Sequence, residues 1–178
     1  MKIKLLLSFL ILSCLAFGQS TEIKVGKIFK ITYPDSYMRA YDLNNDAASQ
    51  RSNGAQGKYS IVIQDEKAPL EFFSVKFSTI EETLEFYTKG LLELTKENSV
   101  KETTPKKFKI NNQNAIQKEI EAVIFDEATS KDIPIFYLFT VIETPEYYYQ
   151  VLSWTPKENK AKFLEEFRNI ATSFKEVD

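Results

Sequence analysis

The sequence predicts an α+β domain: a single antiparallel sheet of about six to seven strands with helices on both faces. Three observations lead there. The elements read as strands, one helix, four strands and a last helix, with no βαβ alternation to build a parallel sheet. Residues 133–142 are apolar at almost every position, the mark of a strand covered on both sides. Helical periodicity is confined to two segments, 78–98 and the stretch after Thr155.

The chain starts with an address. Lys2 and Lys4 form a short basic region, residues 5–15 an apolar one, and Ala16-Phe17-Gly18 fits the small-x-small rule for cleavage. A secretory signal over residues 1–18 is expected, followed by one domain over 19–178. Ile11-Leu12-Ser13-Cys14 loosely resembles a lipobox, so lipidation of Cys14 is the alternative, giving an outer-membrane lipoprotein. Either route exports the protein, to the periplasm or beyond. Without residues 1–18 the chain keeps 21 basic and 25 acidic side chains and no cysteine. A net negative charge argues against nucleic-acid binding, and membrane contact is expected only if Cys14 is lipidated.

Along the body, residues 27–32 alternate, with Phe29 and Ile31 on one face, and stop at Tyr33-Pro34-Asp35-Ser36. A short strand is expected over 37–43. Residues 44–57 are polar with two glycines and read as a mobile surface loop. Strands are expected over 58–64 and 72–77. Ser78 and Glu81 have the spacing of a capping box for a helix over 78–98, with Ile80, Leu84, Tyr87, Leu91 and Leu94 inward. Gly90, costly within a helix, suggests close approach to the sheet. Residues 106–110 and 115–125 form a hairpin-like pair across Asn111-Asn112-Gln113-Asn114. In its second strand Ile116, Ile120, Ala122 and Ile124 share a face with Lys118. Residues 133–142 and 147–154 pair across Thr144-Pro145. Thr155, Pro156 and Glu158 then suit N-cap, N1 and N3 of a last helix whose stripe is Leu164, Phe167, Ile170, Ala171 and Phe174.

This order resembles the PsbP-like fold family, an α/β/α sandwich. The family includes the extrinsic photosystem II protein, a Ran-binding nuclear import factor and exported bacterial DcrB-type proteins. The resemblance rests on Tyr33-Pro34 closing the first strand and an aromatic at Tyr37, where relatives often carry tryptophan. It rests also on the helix after Phe77, the turn between Ile110 and Ala115, the aromatic strand 147–154, and Ile170, Ser173 and Phe174. It covers most of residues 22–175. Tyr37 and the long 44–57 segment depart from it. The resemblance implies a non-catalytic binding or assembly module and supplies no catalytic residue.

Absence of histidine excludes His-based acid-base catalysis and most zinc sites. A single cysteine excludes a disulfide framework. Neither a cofactor nor a metal is expected. Asp42, Asn44 and Asp46 begin like a calcium loop, but Ala47 and Asn53 stand where glycine and glutamate belong. Lys101, Lys106, Lys107 and Lys109 beside Pro105 read as edge-strand protection, an anionic-partner patch being the alternative. Glu81, Glu82 and Glu85, or Asp126, Glu127 and Asp132, could serve a carboxylate hydrolase only if two of them met at a working distance. The expected function is an exported bacterial binding or assembly module of the periplasm or cell envelope, its partner an unknown protein or a small hydrophobic ligand. A carrier with a pocket beside strand 147–154 is the second reading. The candidate contact residues are Asn44, Asp46, Arg51 and Asn53 in the polar segment and Tyr147, Tyr149 and Trp154 on the aromatic strand.

Overall fold

The computed structural model of the chain describes residues 19–23, 29–93, 95–127 and 129–177, with side chains from residue 29 onward. The signal segment with Cys14, the first residues of the 27–32 strand, and Leu94 lie outside the described residues. The elements in order are β1 (Gln19–Ile23), β2 (Phe29–Pro34), β3 (Met38–Arg39), β4 (Ala47–Asn53), β5 (Lys58–Glu66), α1 (Lys67–Phe72), α2 (Ile80–Leu92), β6 (Lys101–Glu102), β7 (Lys106–Ile110), β8 (Gln113–Asp126), β9 (Lys131–Glu143), β10 (Tyr147–Pro156), α3 (Lys160–Thr172) and β11 (Lys175–Glu176).

The class is α+β and antiparallel, as the element order predicts. The strands number more than expected and divide between two sheets. The large one runs β3-β4-β5-β10-β9-β8-β6, with β7 also paired to β8, and a small one runs β1-β2-β11. Three long strands dominate. Strand β10 pairs with β5 along one edge, from Tyr147↔Glu66 to Trp154↔Tyr59, and with β9 along the other. Strand β8 pairs with β9 over its whole length. The β7–β8 hairpin turns on Asn111 and Asn112, both at positive φ, with Ile110 facing Gln113. Two such residues fit the twist of a two-residue hairpin, and asparagine tolerates them better than most side chains.

Helices α2 and α3 cover opposite faces. On the α3 side, Phe163, Phe167, Ile170 and Ala171 pack with Phe174, with Phe29, Ile31 and Tyr33 of β2, and with Tyr147, Tyr149 and Val151 of β10. The small sheet therefore helps α3 close this face. On the α2 side, Leu84 packs onto Ile116, Ile120, Tyr137 and Phe139. Lys118 is buried there among them and donates to Glu102 Oε1 at 3.1 Å.

Several expectations are corrected. Residues 44–57 are not a loop but contain β4 and a short 3-10 turn, Gly54–Gln56. Its polar side chains satisfy the local backbone: Gln50 Oε1 accepts from Leu43 N and Asn44 N, while Gln50 Nε2 donates to Asn44 O. Residues 72–77 are not a strand. Chain leaving β5 enters α1, with Pro69 in its first turn, where a missing N–H is harmless. It then turns at Ser74, whose φ is 63°. The N-cap of α2 is Thr79 rather than Ser78: its hydroxyl accepts from Glu82 N at 3.2 Å, and Glu82 reaches back to Ser78 N at 2.7 Å. This helix ends at Leu92, short of residue 98. Thr155 caps nothing, because its hydroxyl donates to Gly57 O at 2.8 Å and β10 runs on to Pro156. A 3-10 turn then leads into α3, which has no side-chain cap. In the α3 stripe Phe163 is buried, and Leu164 packs only partly against the core.

An apolar groove beside helix α2

An α-helix is about 10–12 Å across and strands lie about 4.8 Å apart, so one helix covers only two or three strands of a sheet this wide. Helix α2 sits over β8 and β9. The same face of β5 and β10 is equally apolar and, among the described residues, has no helix above it. A groove of about 660 Å³ results, within the range of small-molecule sites.

Ile61 and Ile63 of β5, Leu152 and Trp154 of β10, and Ile135, Tyr137 and Phe139 of β9 line the groove from the sheet. Period-two alternation puts these residues on one face together. Phe86, Tyr87, Gly90 and Leu91 form the helix wall, while Leu43 and Asn44 stand opposite, beyond β5. Gly90 does not mark close approach to the sheet. A Cβ built there meets no atom within 4 Å, so the position opens onto free space. Lys89 and Glu93 are the charged lining residues; both are exposed and lie one turn apart on α2.

Polar groups in this wall are few. Tyr137 is only 6% exposed, and its hydroxyl makes no hydrogen bond to the described residues. Burial alone pushes its pKa up to about 12, so the phenol stays protonated at ordinary pH. Trp154 faces Tyr137 directly across the β9–β10 ladder and stacks on Tyr59, ring centroids 5.3 Å apart. Its indole N–H also has no hydrogen-bond partner among the described residues. The Tyr87 hydroxyl is buried beside the Asp65 carboxylate; burial first, then that carboxylate, drives its pKa well above the ordinary phenol value.

Of the sequence-predicted contact residues, the structure brings Asn44 and Trp154 to this groove. Asp46 is in the adjoining turn, where its N–H donates to Asn44 Oδ1 at 2.8 Å. Arg51 lies over the Tyr33 ring on the opposite side of the sheet. Asn53 caps the 3-10 turn and donates to Ser36 O. Tyr147 and Tyr149 lie in the core beneath α3. Tyr149 donates to Glu176 at 3.2 Å, and its pKa is raised by burial first and by that carboxylate second. The sequence reading missed Ile61, Ile63, Tyr137, Phe139 and Leu152. The hints were the aromatic strand 147–154, beside which a carrier's pocket was the second reading, and the unbroken apolar run 133–142, which looked like ordinary core.

The remaining candidate chemistry is dispersed. Glu81 pairs with Lys107, which lowers its pKa, and Glu82 serves the helix start. Asp126 accepts from Thr129, and Asp132 pairs with Lys96. Among the described residues, no three acidic, cysteine or histidine side chains gather as a metal site would require. The four lysines of β6 and β7 stand exposed on the sheet edge.

No protein-family model and no curated protein sequence matches the chain. Solved structures do resemble it. Cyanobacterial PsbP from Synechocystis sp. PCC 6803 superposes with a TM-score of 0.62 at 10% identity, over 90% of this chain and 94% of that one. The Ran-binding protein Mog1p of Saccharomyces cerevisiae gives 0.62 at 11%, over 91% and 97%. LpqN of Mycobacterium tuberculosis, involved in cell envelope biogenesis, gives 0.56 at 8%, over 90% and 91%. Such identities speak for architecture alone: the chain has the PsbP-like fold.

Proposed function

We propose that this is an exported, non-enzymatic binding protein of the periplasm or cell envelope, and that the groove between α2 and strands β5 and β10 is its binding site. One observation carries the reading: a groove of about 660 Å³ with an apolar floor, left uncovered by helix α2 among the described residues. Apolar surface of this extent is costly to leave in water and serves a ligand better than it serves the fold. The leader-like first eighteen residues support export. Native mass spectrometry of the protein taken from its own envelope fraction tests the proposal. A small molecule should travel with the protein and be absent from a Gly90→Phe variant, whose side chain projects into the groove. A bare protein whose Trp154 emission no apolar probe shifts would overturn it.

A second reading has its own observation. Phe72 and Phe73, at the end of α1, are 83% and 74% exposed, side by side. Exposed aromatic pairs of this kind anchor protein partners, and an assembly module would use them. Phe72→Ser with Phe73→Ser should then release a co-purifying protein and leave the groove's response intact.

A further inference from the structure

The chemistry of the groove narrows its ligand, if the groove is the binding site. Lys89 and Glu93 carry its charges, opposite in sign and both at the exposed side of α2. Between them they offer an ionic head no net field. The floor holds no charge at all, so an ion brought there would lose hydration without a partner.

What the floor does hold is donors. Tyr137 and Trp154 are directly opposite on β9 and β10 and point to the same face. Their Cβ atoms are therefore about 5 Å apart. Neither the hydroxyl nor the indole N–H is hydrogen-bonded within the described residues, and neither is sealed from water, so both donate into the open groove. Indole can only donate, and an occupant that displaces water from such a donor without replacing its hydrogen bond loses affinity. An oxygen with two lone pairs would answer both groups at once. A pure hydrocarbon would answer neither.

We propose that the groove binds an uncharged, elongated acyl ester, its chain along the apolar floor and its carbonyl oxygen accepting from Tyr137 and Trp154. The volume suits a single chain rather than a two-chain lipid.

Methyl palmitate and palmitate form the minimal test pair, sharing the chain and differing in head-group charge. Trp154 is the sole tryptophan, so its emission reports on the groove directly. Methyl palmitate should shift that emission saturably, and palmitate at pH 8 should bind about tenfold more weakly or worse. Tyr137→Phe keeps the ring and removes the hydroxyl; it should weaken methyl palmitate about two- to tenfold, the worth of one neutral hydrogen bond, at unchanged melting temperature. Palmitate binding as tightly as its ester would overturn the proposal, and so would an unchanged ester affinity in a folded Tyr137→Phe variant. The head-group comparison needs no variant, so it stands even if Tyr137→Phe fails to fold. Binding of palmitate alone, abolished by Gly90→Phe, would sink the ester and keep the groove. No response to either probe would sink both.

Discussion

Replacing Gly90 by alanine should stabilise the protein. Gly90 is in the last turns of α2 and exposed, and a Cβ there has nothing within 4 Å to strike. Its backbone is helical, so the new side chain is unstrained. The gain then comes from the unfolded chain, which loses glycine's extra freedom, and amounts to about 0.5–1 kcal/mol. For a chain of this size that raises the melting temperature by about 1–4 °C. Gly57→Ala provides the opposite sign. Gly57 has φ 63°, and its built Cβ lies 3.4 Å from Pro156 Cδ. Left-handed backbone costs a non-glycine residue about 1–2 kcal/mol, so this variant should be less stable by that amount. Urea denaturation of both variants, with the slope checked for constancy, measures the two differences. A destabilised Gly90→Ala protein would refute the reasoning, because it would mean that the helix approaches the sheet and the groove is closed.

Three further outcomes are expected. Lys58, 2% exposed, donates to both oxygens of Glu166 at 2.7 and 2.8 Å, and Tyr37 donates to the same carboxylate; Lys58→Met should cost about 2–4 kcal/mol in denaturant melts, and adding Glu166→Leu should recover part of it. Burial, joined by Glu166 at Tyr37 and Glu176 at Tyr149, raises the phenol pKa of both residues, and burial raises Tyr137 to about 12. Since the folded values exceed the unfolded value near 10, stability should be level below about pH 10 and fall above it, by up to about 1.4 kcal/mol per pH unit per phenol; free titration of these phenols before unfolding would contradict this. Glu121, held by Lys157 and Lys160, is lowered to about 2, so its contribution should persist above the ordinary carboxylate range and fade as pH drops towards 2, and Glu121→Gln should flatten that limb of an acid melt.

Much of the fold was legible because periodicity carried it. The α2 and α3 stripes and the alternation of β8 and β10 place Leu84, Phe167, Ile120 and Tyr149 on their observed faces. Strand β4 was not legible: Ala47–Asn53 has almost no apolar residue, and its extended state comes from pairing with β5 and from Gln50. The alternation of Phe73, Val75 and Phe77 imitated a strand, but those rings do not share a sheet face. Phe77 packs against Phe86, Tyr87 and Tyr148, while Phe73 is exposed. The candidate site was legible only at Trp154 and Asn44. Ile61, Ile63 and Leu152 have the same sequence signature as covered core residues. Whether a helix lies over them depends on where α2 lands on the sheet, and local sequence carries no record of that.

The enclosure of Lys58 has a practical consequence. Its amine is surrounded by the Tyr37 and Phe163 rings, 4.7 and 4.9 Å from their centroids, and by Glu166. Acylating reagents reach exposed lysines at once but reach this one only when the α3 side parts from the sheet. Its labelling rate, followed by peptide mass mapping, is therefore a clock for separation of one layer. Comparing that rate with and without a groove occupant would measure, at a single residue, how strongly the two faces of the sheet feel one another.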